Sequence, residues 1–260
     1  MNAPLGDFFS QIKVGAKQNH KNMALYCLLS EHEAAVDFLT LDNALANDAL
    51  AISELTEGGS VPELRVLNKS DQNVLLMDGE EFVGAKQHWV LNTTILIAPQ
   101  SETNIPVSCV EKGRWSYRSK HFGSQPRAMS ANLRKRKSET VNVNLRRGRN
   151  FMSNQGVVWD EIEKKHERMS ASPSPTMAMA DLYESHRDQT ESYLSAFRPV
   201  FNQVGIIVFI DGMVAGIEIL NKFQSFRENH SKLVNSYVMD ALETSNGEIK
   251  PNHRSLRGTT

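Results

Sequence analysis

The chain carries two adjacent carboxylates, Glu80 and Glu81, directly after an Asp-Gly pair. Neighbouring carboxylates disfavour each other's ionisation, so the pKa of one of them can rise into the range of a general base. The simpler interpretation is a pair of acids solvated at a turn. A solvated turn does not explain the polar residues that follow, so both carboxylates are candidate catalytic residues.

Three polar residues follow these carboxylates: Lys86, Gln87 and Asn92. A lysine and two amides that project from a sheet face suit the recognition of ribose hydroxyls, phosphate or carboxylate groups. We therefore take Lys86 as a candidate anion anchor. Gln87 and Asn92 are candidate amides for orienting a ligand.

A second polar group consists of Cys109, Glu111 and Arg114. A cysteine near a base or a cation can act as a nucleophile or as a metal ligand. We favour the alternative, a small buried residue on a strand. Strand alternation puts Glu111 on the face of the thiol, where a carboxylate would raise the pKa of Cys109. Cys109 and Glu111 are kept as catalytic candidates, and Arg114 is a second candidate anion anchor.

The sequence lacks the common motifs for metal ions and nucleotide phosphates. Its eight histidines form no HxH or HExxH pattern, its two cysteines form no CxxC pair, and it has neither a GxGxxG loop nor a P-loop. We therefore predict no metal site, and the sequence names no cofactor. A metal would require His88, Glu80, Glu81 and Cys109 to converge in space.

The segment 134–149 carries seven basic residues against one acid, Glu139. The basic residues are Arg134, Lys135, Arg136, Lys137, Arg146, Arg147 and Arg149. Such a cluster can bind phosphate backbones. Nucleic-acid grooves usually interleave aromatic side chains, however, and none occurs between Phe122 and Phe151. The sequence therefore favours a solvated segment over a nucleic-acid site.

The overall charge is nearly balanced: the 260 residues include 29 basic and 30 acidic side chains, with a formal net charge of -1. This balance gives no global attraction to nucleic acid or to an anionic membrane. No apolar run approaches the roughly 20 residues of a membrane helix, and the amino terminus lacks a secretory signal pattern. With Cys27 and Cys109 as its only cysteines, the sequence predicts a cytoplasmic protein with free thiols. A homodimer is the base-rate expectation.

Short apolar runs broken by Asp, Asn, Gly and Pro predict a β-rich part over residues 5–120. One amphipathic helix at 39–50, with Thr40 as its N-cap, interrupts the strands. Asp78-Gly79 predicts a type I′ hairpin turn, because both residues tolerate a positive φ. The acidic pair would then sit at that turn.

Residues 121–150 are poor in large apolar side chains and predict a basic, exposed segment. The part from 151 to 243 has a helical period and a hairpin at Asp211-Gly212, and the tail 244–260 is predicted to be frayed. The predicted helices of this part span 156–169, 176–194, 222–229 and 231–242.

Together these elements predict the α+β class. An amino-terminal, mainly antiparallel sheet or roll with one short helix would be followed by helices and a β-hairpin. We expect residues 1–260 to form a single compact domain. The hairpin is too short to be stable alone in water and must join a sheet or pack on helices.

Several segments together are similar to one known family. They are DGEEFVGAKQHWVLNTTI, IPVSCVEKGRW, QGVVWDEI, SPTMAM, NQVGIIVFIDGMVAGIEI and KLVNSYVMDAL. On these segments, residues 5–243 resemble the ARG and rhodanese-phosphatase-superfamily-associated protein domain family, first type. The positions that match its pattern are Glu80, Glu81, Lys86, Gln87, Asn92, Cys109, Glu111, Arg114 and Trp115. The resemblance thus adds Trp115 to the ligand-binding candidates.

The family is largely uncharacterised, and its name records genomic association with ADP-ribosylglycohydrolases. The resemblance therefore implies a role near NAD or ADP-ribose processing, by association rather than by mechanism. This chain has His88-Trp89 where the family pattern more often has Asn-Arg, which argues against His88 as an essential ligand. The basic segment is also more charged than the corresponding loop of the family.

Three functions remain open on the sequence. The first is a cytoplasmic enzyme, or former enzyme, that binds a nucleotide-derived or sugar-phosphate ligand and uses Glu80 or Glu81 as general base. The second is a non-catalytic ligand-binding or protein-interaction module whose polar residues form a structural network. The third and weakest is nucleic-acid binding through the segment 134–149.

Overall fold

The structure is a computed structural model that describes residues 5–31, 36–55, 62–84, 87–112, 122–169, 177–220 and 222–245. The strands are β1 Lys13–His20, β2 Met23–Leu29, β3 Phe38–Thr40, β4 Leu50–Glu54, β5 Glu63–Asn68, β6 Asn73–Leu76, β7 Glu80–Val83, β8 Trp89–Leu91, β9 Ile95–Ile97, β10 Ser101–Cys109, β11 Gly123–Ala128, β12 Gln203–Ile210 and β13 Met213–Ile219. The helices are α1 Leu5–Ser10, α2 Leu41–Ala46, α3 Ala131–Arg146, α4 Gln155–Arg168, α5 Met179–Ser185, α6 Arg187–Ala196 and α7 Phe223–Ser245. The predicted α+β class is confirmed.

The first sheet has four antiparallel strands in the order β1-β2-β12-β13. Asp211 and Gly212 have φ values of 50° and 77°, which gives the turn two successive positive φ values, as a type I′ turn requires. The predicted hairpin is therefore confirmed. It joins the first hairpin of the chain through the pairing of β12 with β2, so distant parts of the sequence share one sheet.

The other Asp-Gly pair, Asp78-Gly79, does not form a hairpin. Strand β6 pairs with β3 and β9 in a three-stranded sheet, whereas β7 lies in the six-stranded sheet β11-β7-β8-β10-β5-β4. Of the two residues only Gly79 has a positive φ, at 83°. The prediction of a type I′ turn at Asp78-Gly79 was wrong, because pairing with distant strands takes the chain from one sheet to another at this point.

Two hydrophobic cores fill the spaces between these elements. The first packs the four-stranded sheet against α7, with Leu25, Val208 and Leu233 among its buried residues. The second packs α2 against the two other sheets and includes Leu41 and Phe82. Helix α2 is shorter than the predicted helix at 39–50, although Thr40 does occupy its N-cap position.

The two helices predicted between residues 222 and 242 are one helix, α7. Its residues from Ser225 to Glu243 are buried on nearly every side, so the apolar stripe that suggested two helices is absent. The helix predicted at 176–194 is divided at His186 into α5 and α6. Among the described helices, none combines the length and apolar character needed to cross a membrane.

The stretch predicted as an exposed basic segment forms β11 and α3. Leu133, Lys137 and Val141 are the buried residues of α3 and lie four apart along one face. Arg134 is also largely buried, in an ion pair. The prediction of exposure therefore holds for most of the basic residues and was wrong for Arg134 and Lys137.

Candidate functional site

Glu80 lies on β7 and is only 1% exposed. Its Oε2 accepts a hydrogen bond from the Met77 backbone N–H at 2.8 Å, and its Oε1 accepts one from Lys232 Nζ at 2.8 Å. Lys232 also donates to Asp42 Oδ1 at 3.1 Å. One buried lysine of α7 thus binds carboxylates of both β7 and α2.

Burial raises the pKa of Glu80, and the ammonium of Lys232 offsets only part of this effect. The pKa of Lys232 is also raised, because Glu80 and Asp42 outweigh the effect of its burial. The lysine is therefore held in its charged form.

The side chain of Glu81 points to the face of β7 opposite that of Glu80, as alternation along a strand requires. Arg127 Nε donates to its Oε2 at 2.7 Å, and His88 Nδ1 lies 3.4 Å from its Oε1. That second distance suits an ion pair when His88 is protonated, but the two atoms are not aligned as a hydrogen bond. Burial would raise the pKa of Glu81, but His88 and Arg127 outweigh it and the pKa is lowered.

Neither carboxylate is therefore a solvated residue at a turn. Glu80 and Glu81 are enclosed, their pKa values move in opposite directions, and each connects β7 to another element. A general base must reach its substrate within hydrogen-bond distance. Within the described residues, both carboxylates anchor β7: Glu80 binds Lys232 of α7, and Glu81 binds Arg127 of β11.

The other polar candidates of the described residues also lie in the interior. Gln87, Asn92, Cys109 and Glu111 are all buried. Asn92 Oδ1 accepts a hydrogen bond from the Ser108 hydroxyl at 2.5 Å. The Asn92 Nδ2 group donates to the carbonyl of Phe151, which lies before α4, at 3.1 Å. These contacts attach the chain before α4 to the six-stranded sheet.

Gln155 is a residue of this network that the sequence did not reveal. Its Oε1 accepts from the Cys109 backbone N–H at 2.9 Å, and its Nε2 donates to the Cys109 carbonyl at 2.7 Å. The side chain amide thus pairs with the end of β10 as another strand would. The Cys109 thiol donates to the Glu111 carbonyl at 3.2 Å, which agrees with a small buried residue on a strand.

Lys86, Arg114 and Trp115 lie outside the described residues. Their predicted roles as anion anchors and ligand contacts stay predictions. Within the described part of the chain, no group of three or more His, Cys, Asp or Glu side chains is placed to hold a metal ion.

An open pocket of about 480 Å³ lies between β13, α3 and α7. Its size falls within the range of small-molecule sites. The apolar wall comes mainly from the hairpin, and the polar side chains come from α3, α7 and the chain before β7. Its principal apolar residues are Ile210, Met213, Val214, Ala215 and Ile217, and its principal polar residues are Asp78, Asn132, Arg134, Lys135, Ser138, Asp211, Glu218, Tyr237 and Asp240.

One polar cluster of the pocket is built around Arg134. Its Nη2 donates to Glu218 Oε1 at 2.6 Å and to the Ser236 hydroxyl at 3.1 Å. The Tyr237 hydroxyl donates to the same Glu218 oxygen at 2.8 Å. A Cβ at Gly216 would lie 2.2 Å from that hydroxyl, so a residue without a side chain is needed for this approach.

The second polar cluster is built around Asp78. Buried Lys137 donates to Asp78 Oδ1, and the Ser138 hydroxyl donates to Oδ2 at 3.2 Å. Burial lowers the pKa of Lys137, against the opposing effect of Asp78. Because Asp78 is followed by Gly79 and Glu80, one turn of chain joins the pocket to the buried carboxylates.

The pocket supplies acceptors and donors whose charges are mostly paired. Glu218 is paired with Arg134, Asp78 with Lys137, and Asp240 with Lys165 at 2.7 Å. Lys135 is an exposed cation that also lines the pocket. The interior is therefore suited to uncharged hydroxyl groups, and Lys135 can meet an anionic group.

The fold is of the α+β class, with an open pocket between β13, α3 and α7. The chain belongs to the ARG and Rhodanese-Phosphatase-superfamily-associated Protein domain (ARPP-1) family, whose model matches residues 11–259. The family resemblance found in the sequence is thereby confirmed. Searches of the curated proteins and of the solved structures found no match.

Proposed function

We propose that this protein is a cytoplasmic ligand-binding module whose pocket between β13, α3 and α7 takes a nucleotide-derived ligand. The observation that carries the proposal is the lining of the pocket. A wall of aliphatic side chains faces paired carboxylates, an arginine and two hydroxyl groups. Pockets that combine apolar walls with a few convergent polar groups are the usual form of small-molecule sites.

The chemistry of the lining supports a ribosyl ligand that carries a flat apolar group. Carboxylate oxygens of Asp78 and Glu218 can accept hydrogen bonds from the hydroxyls of a ribose. The apolar side chains of Ile210 and Met213 can cover a base. A phosphate would be placed at Lys135, because the other lysines and arginines near the pocket already have carboxylate partners.

In this proposal the buried network is the scaffold of the pocket. Lys232 and Glu80 fix β7 on α7, while Asp78 next to β7 and Tyr237 on α7 reach the ligand. The sequence-derived candidates Glu80, Glu81 and Asn92 then act by positioning the walls rather than by touching the ligand.

An enzyme is the second candidate function, and one observation favours it. Burial raises the pKa of Glu80, and a buried carboxyl group with a raised pKa is the pattern of a general acid. This candidate requires a ligand to reach carboxylates that are enclosed in the described structure.

A thermal-shift screen tests the proposed ligand. The probes are adenosine, ADP-ribose, ribose 5-phosphate and inorganic phosphate. A ligand at about 100 times its Kd stabilises the folded state by about 2.7 kcal/mol, which raises the melting temperature by several degrees. We expect adenosine and ADP-ribose to stabilise the protein and inorganic phosphate alone to have no effect.

Lys135→Ala, compared with Arg136→Ala, separates the ribosyl contact from the phosphate contact. Both positions are exposed cations on α3, but only Lys135 lines the pocket. Lys135→Ala should weaken the binding of ADP-ribose and leave the binding of adenosine unchanged. Arg136→Ala should change the binding of neither probe. Stabilisation by inorganic phosphate alone, or by none of the probes, would refute the proposed ligand class.

A further inference from the structure

Strand β13 is an edge strand of the four-stranded sheet, with no described strand beyond it. Such an edge presents backbone N–H and C=O groups that have no partner strand. The Leu220 N–H donates to the Val204 carbonyl at 2.9 Å, and the carboxyl-terminal half of β13 pairs regularly with β12. Because backbone groups alternate along a strand, Glu218 faces β12. Ile217 and Ile219 therefore turn their N–H and C=O groups outward.

This open edge faces the pocket between β13, α3 and α7. Successive residues from Met213 to Glu218 all line the pocket, although alternate residues of a strand point to opposite faces of a sheet. A lining of this kind is formed by the edge of the strand rather than by one face. Arg134, Lys135 and Ser138 of α3 line the other side. The pocket is therefore a groove between a strand edge and a helix.

The edge of β13 lacks the features that protect other edge strands from pairing. Strand β1, at the opposite edge of the same sheet, carries Lys13 and Lys17, and its pairing is irregular between them. Glu218 is the single charged residue of β13, and Arg134 and Tyr237 draw it toward the helices by donating to it. The one irregularity of β13 lies near its turn and leaves the carboxyl-terminal half regular.

We propose that an extended peptide segment of a partner protein binds in this groove by adding a strand to β13. The backbone selects this occupant, because the outward groups of Ile217 and Ile219 match the alternating N–H and C=O groups of an extended main chain. Peptide side chains beside Ile217 would be valine or isoleucine, which form good cross-strand pairs. Those on the other side would face Asp78 and Ser138, which suit serine or threonine hydroxyls.

The size of the groove favours one added strand over the edge of a second folded sheet. Its volume of about 480 Å³ is that of a small-molecule site, and α3 bounds it on the far side. A strand lies about 4.8 Å from its neighbour, so a single extended segment can pair with β13 inside the groove.

This inference does not rest on the nucleotide-derived ligand. A peptide beside Ile217 takes up part of the space that we propose for that ligand, so the two would occupy the pocket alternately. Peptide binding is therefore measured without ADP-ribose. Its success or failure is independent of whether ADP-ribose binds.

Selection from a random library of phage-displayed peptides tests the proposal. Peptides of about nine residues span about 30 Å when extended. We expect enrichment on the immobilised wild type, with β-branched residues at alternate positions, and none on Ile217→Pro. Proline removes the outward N–H at this position and no hydrogen bond to β12. Ile217→Val keeps the N–H and is the matched control, and it should change the Kd of a selected peptide less than about threefold.

Backbone methylation of a selected peptide tests the pairing on the wild type itself, so the result does not depend on the folding of a variant. Two versions carry N-methyl groups on alternate residues, in the two possible registers. The version methylated on the side that faces β13 should bind at least about tenfold more weakly, because it loses its donors to the strand. The other version should bind as the parent peptide does. Equal effects of the two versions would overturn the proposal.

Hydrogen exchange tests the open edge before any peptide is added. In the free protein the Ile217 amide should exchange faster than the Glu218 amide, and a selected peptide should slow it at least about tenfold. Equal protection of the two amides in the free protein would overturn the proposal. So would a library that is enriched no further on the wild type than on Ile217→Pro. A wild-type dimer that is lost in Ile217→Pro would also overturn it, because β13 would then pair with a second copy.

Discussion

At the scale of single residues, the polar side chains that suggested chemistry are those that most constrain the fold. Glu80 is the clearest case, since both of its oxygens have buried partners. Its partner Lys232 lies 152 positions away in sequence. A residue of this kind is sensitive to substitution whether or not it touches a ligand.

Glu80→Gln should destabilise the protein by about 2 to 3 kcal/mol, because Lys232 loses its buried counter-charge and retains only Asp42. The free energy of unfolding in urea measures this change. Combining Glu80→Gln with Lys232→Met should recover most of the loss, since replacing both partners removes the unpaired charge. Glu139→Gln alters an exposed carboxylate and should change stability by no more than about 0.5 kcal/mol. Additive losses in the double variant would contradict the paired arrangement.

His230 should make the protein sensitive to mild acid. Burial lowers its pKa from 6.5 to about 4, so the folded state resists a proton that the unfolded state accepts. Above pH 6.5 the residue is neutral in both states and the free energy of unfolding is at its full value. That free energy decreases as the pH falls from 6.5 toward 4, because only the unfolded state takes up the proton. Between pH 7.5 and pH 5 this residue should cost about 2 kcal/mol. His230→Phe, measured by urea unfolding at both pH values, should reduce the acid-induced loss by that amount. An unchanged loss would exclude His230 as a source of the acid sensitivity.

At the scale of elements, long-range contacts made by side chains decide where α3 and α4 sit. Gln155 attaches the beginning of α4 to β10 through both backbone groups of Cys109. Lys137 attaches α3 to Asp78 and to the carbonyl of Leu91. Each helix therefore has one polar side chain that is inserted into the sheet region and helps to fix its position.

Gln155→Ala should destabilise the protein by about 2 to 4 kcal/mol, because it removes both hydrogen bonds that this side chain makes with the backbone of Cys109. Gln155→Glu keeps the acceptor and loses the donor, so its loss should be similar or larger at neutral pH. Gln189→Ala, at an exposed position of α6, should have little effect. Thermal unfolding of the three variants provides the comparison, and equal melting temperatures would refute the proposed attachment.

The elements also show what local sequence can and cannot predict. The same Asp-Gly signal was right at residues 211–212, where both flanking strands are long and pair with each other. It was wrong at residues 78–79, where β6 and β7 find distant partners. In α3 the buried stripe has Lys137 at its centre, so a helix was hidden within a basic run. Its ion partner, Asp78, lies between β6 and β7, so nothing in the local sequence indicates that Lys137 can be buried.

At the scale of the whole molecule, α7 connects both cores and the pocket. Lys232 holds Glu80, Tyr237 holds Glu218, and Asp240 and Glu243 hold Lys165 of α4. The family segment that begins at Asp78 contacts this helix through the hydrogen bond between Glu80 and Lys232. Individual helices and the hairpin were predictable from the sequence, but the pocket was not, because it brings α3 and Asp78 against β13 and α7, from which they are distant in sequence.

The measurement that tests the account most directly is a calorimetric titration of ADP-ribose into the wild type, Ala215→Trp and Ala196→Trp. Ala215 lines the pocket, and Ala196 is an exposed residue at the end of α6. The account predicts binding to the wild type and to Ala196→Trp, with affinity at least about tenfold weaker in Ala215→Trp, a loss of about 1.4 kcal/mol. Equal affinity in all three proteins, or no binding to the wild type, would contradict a ligand site between β13, α3 and α7.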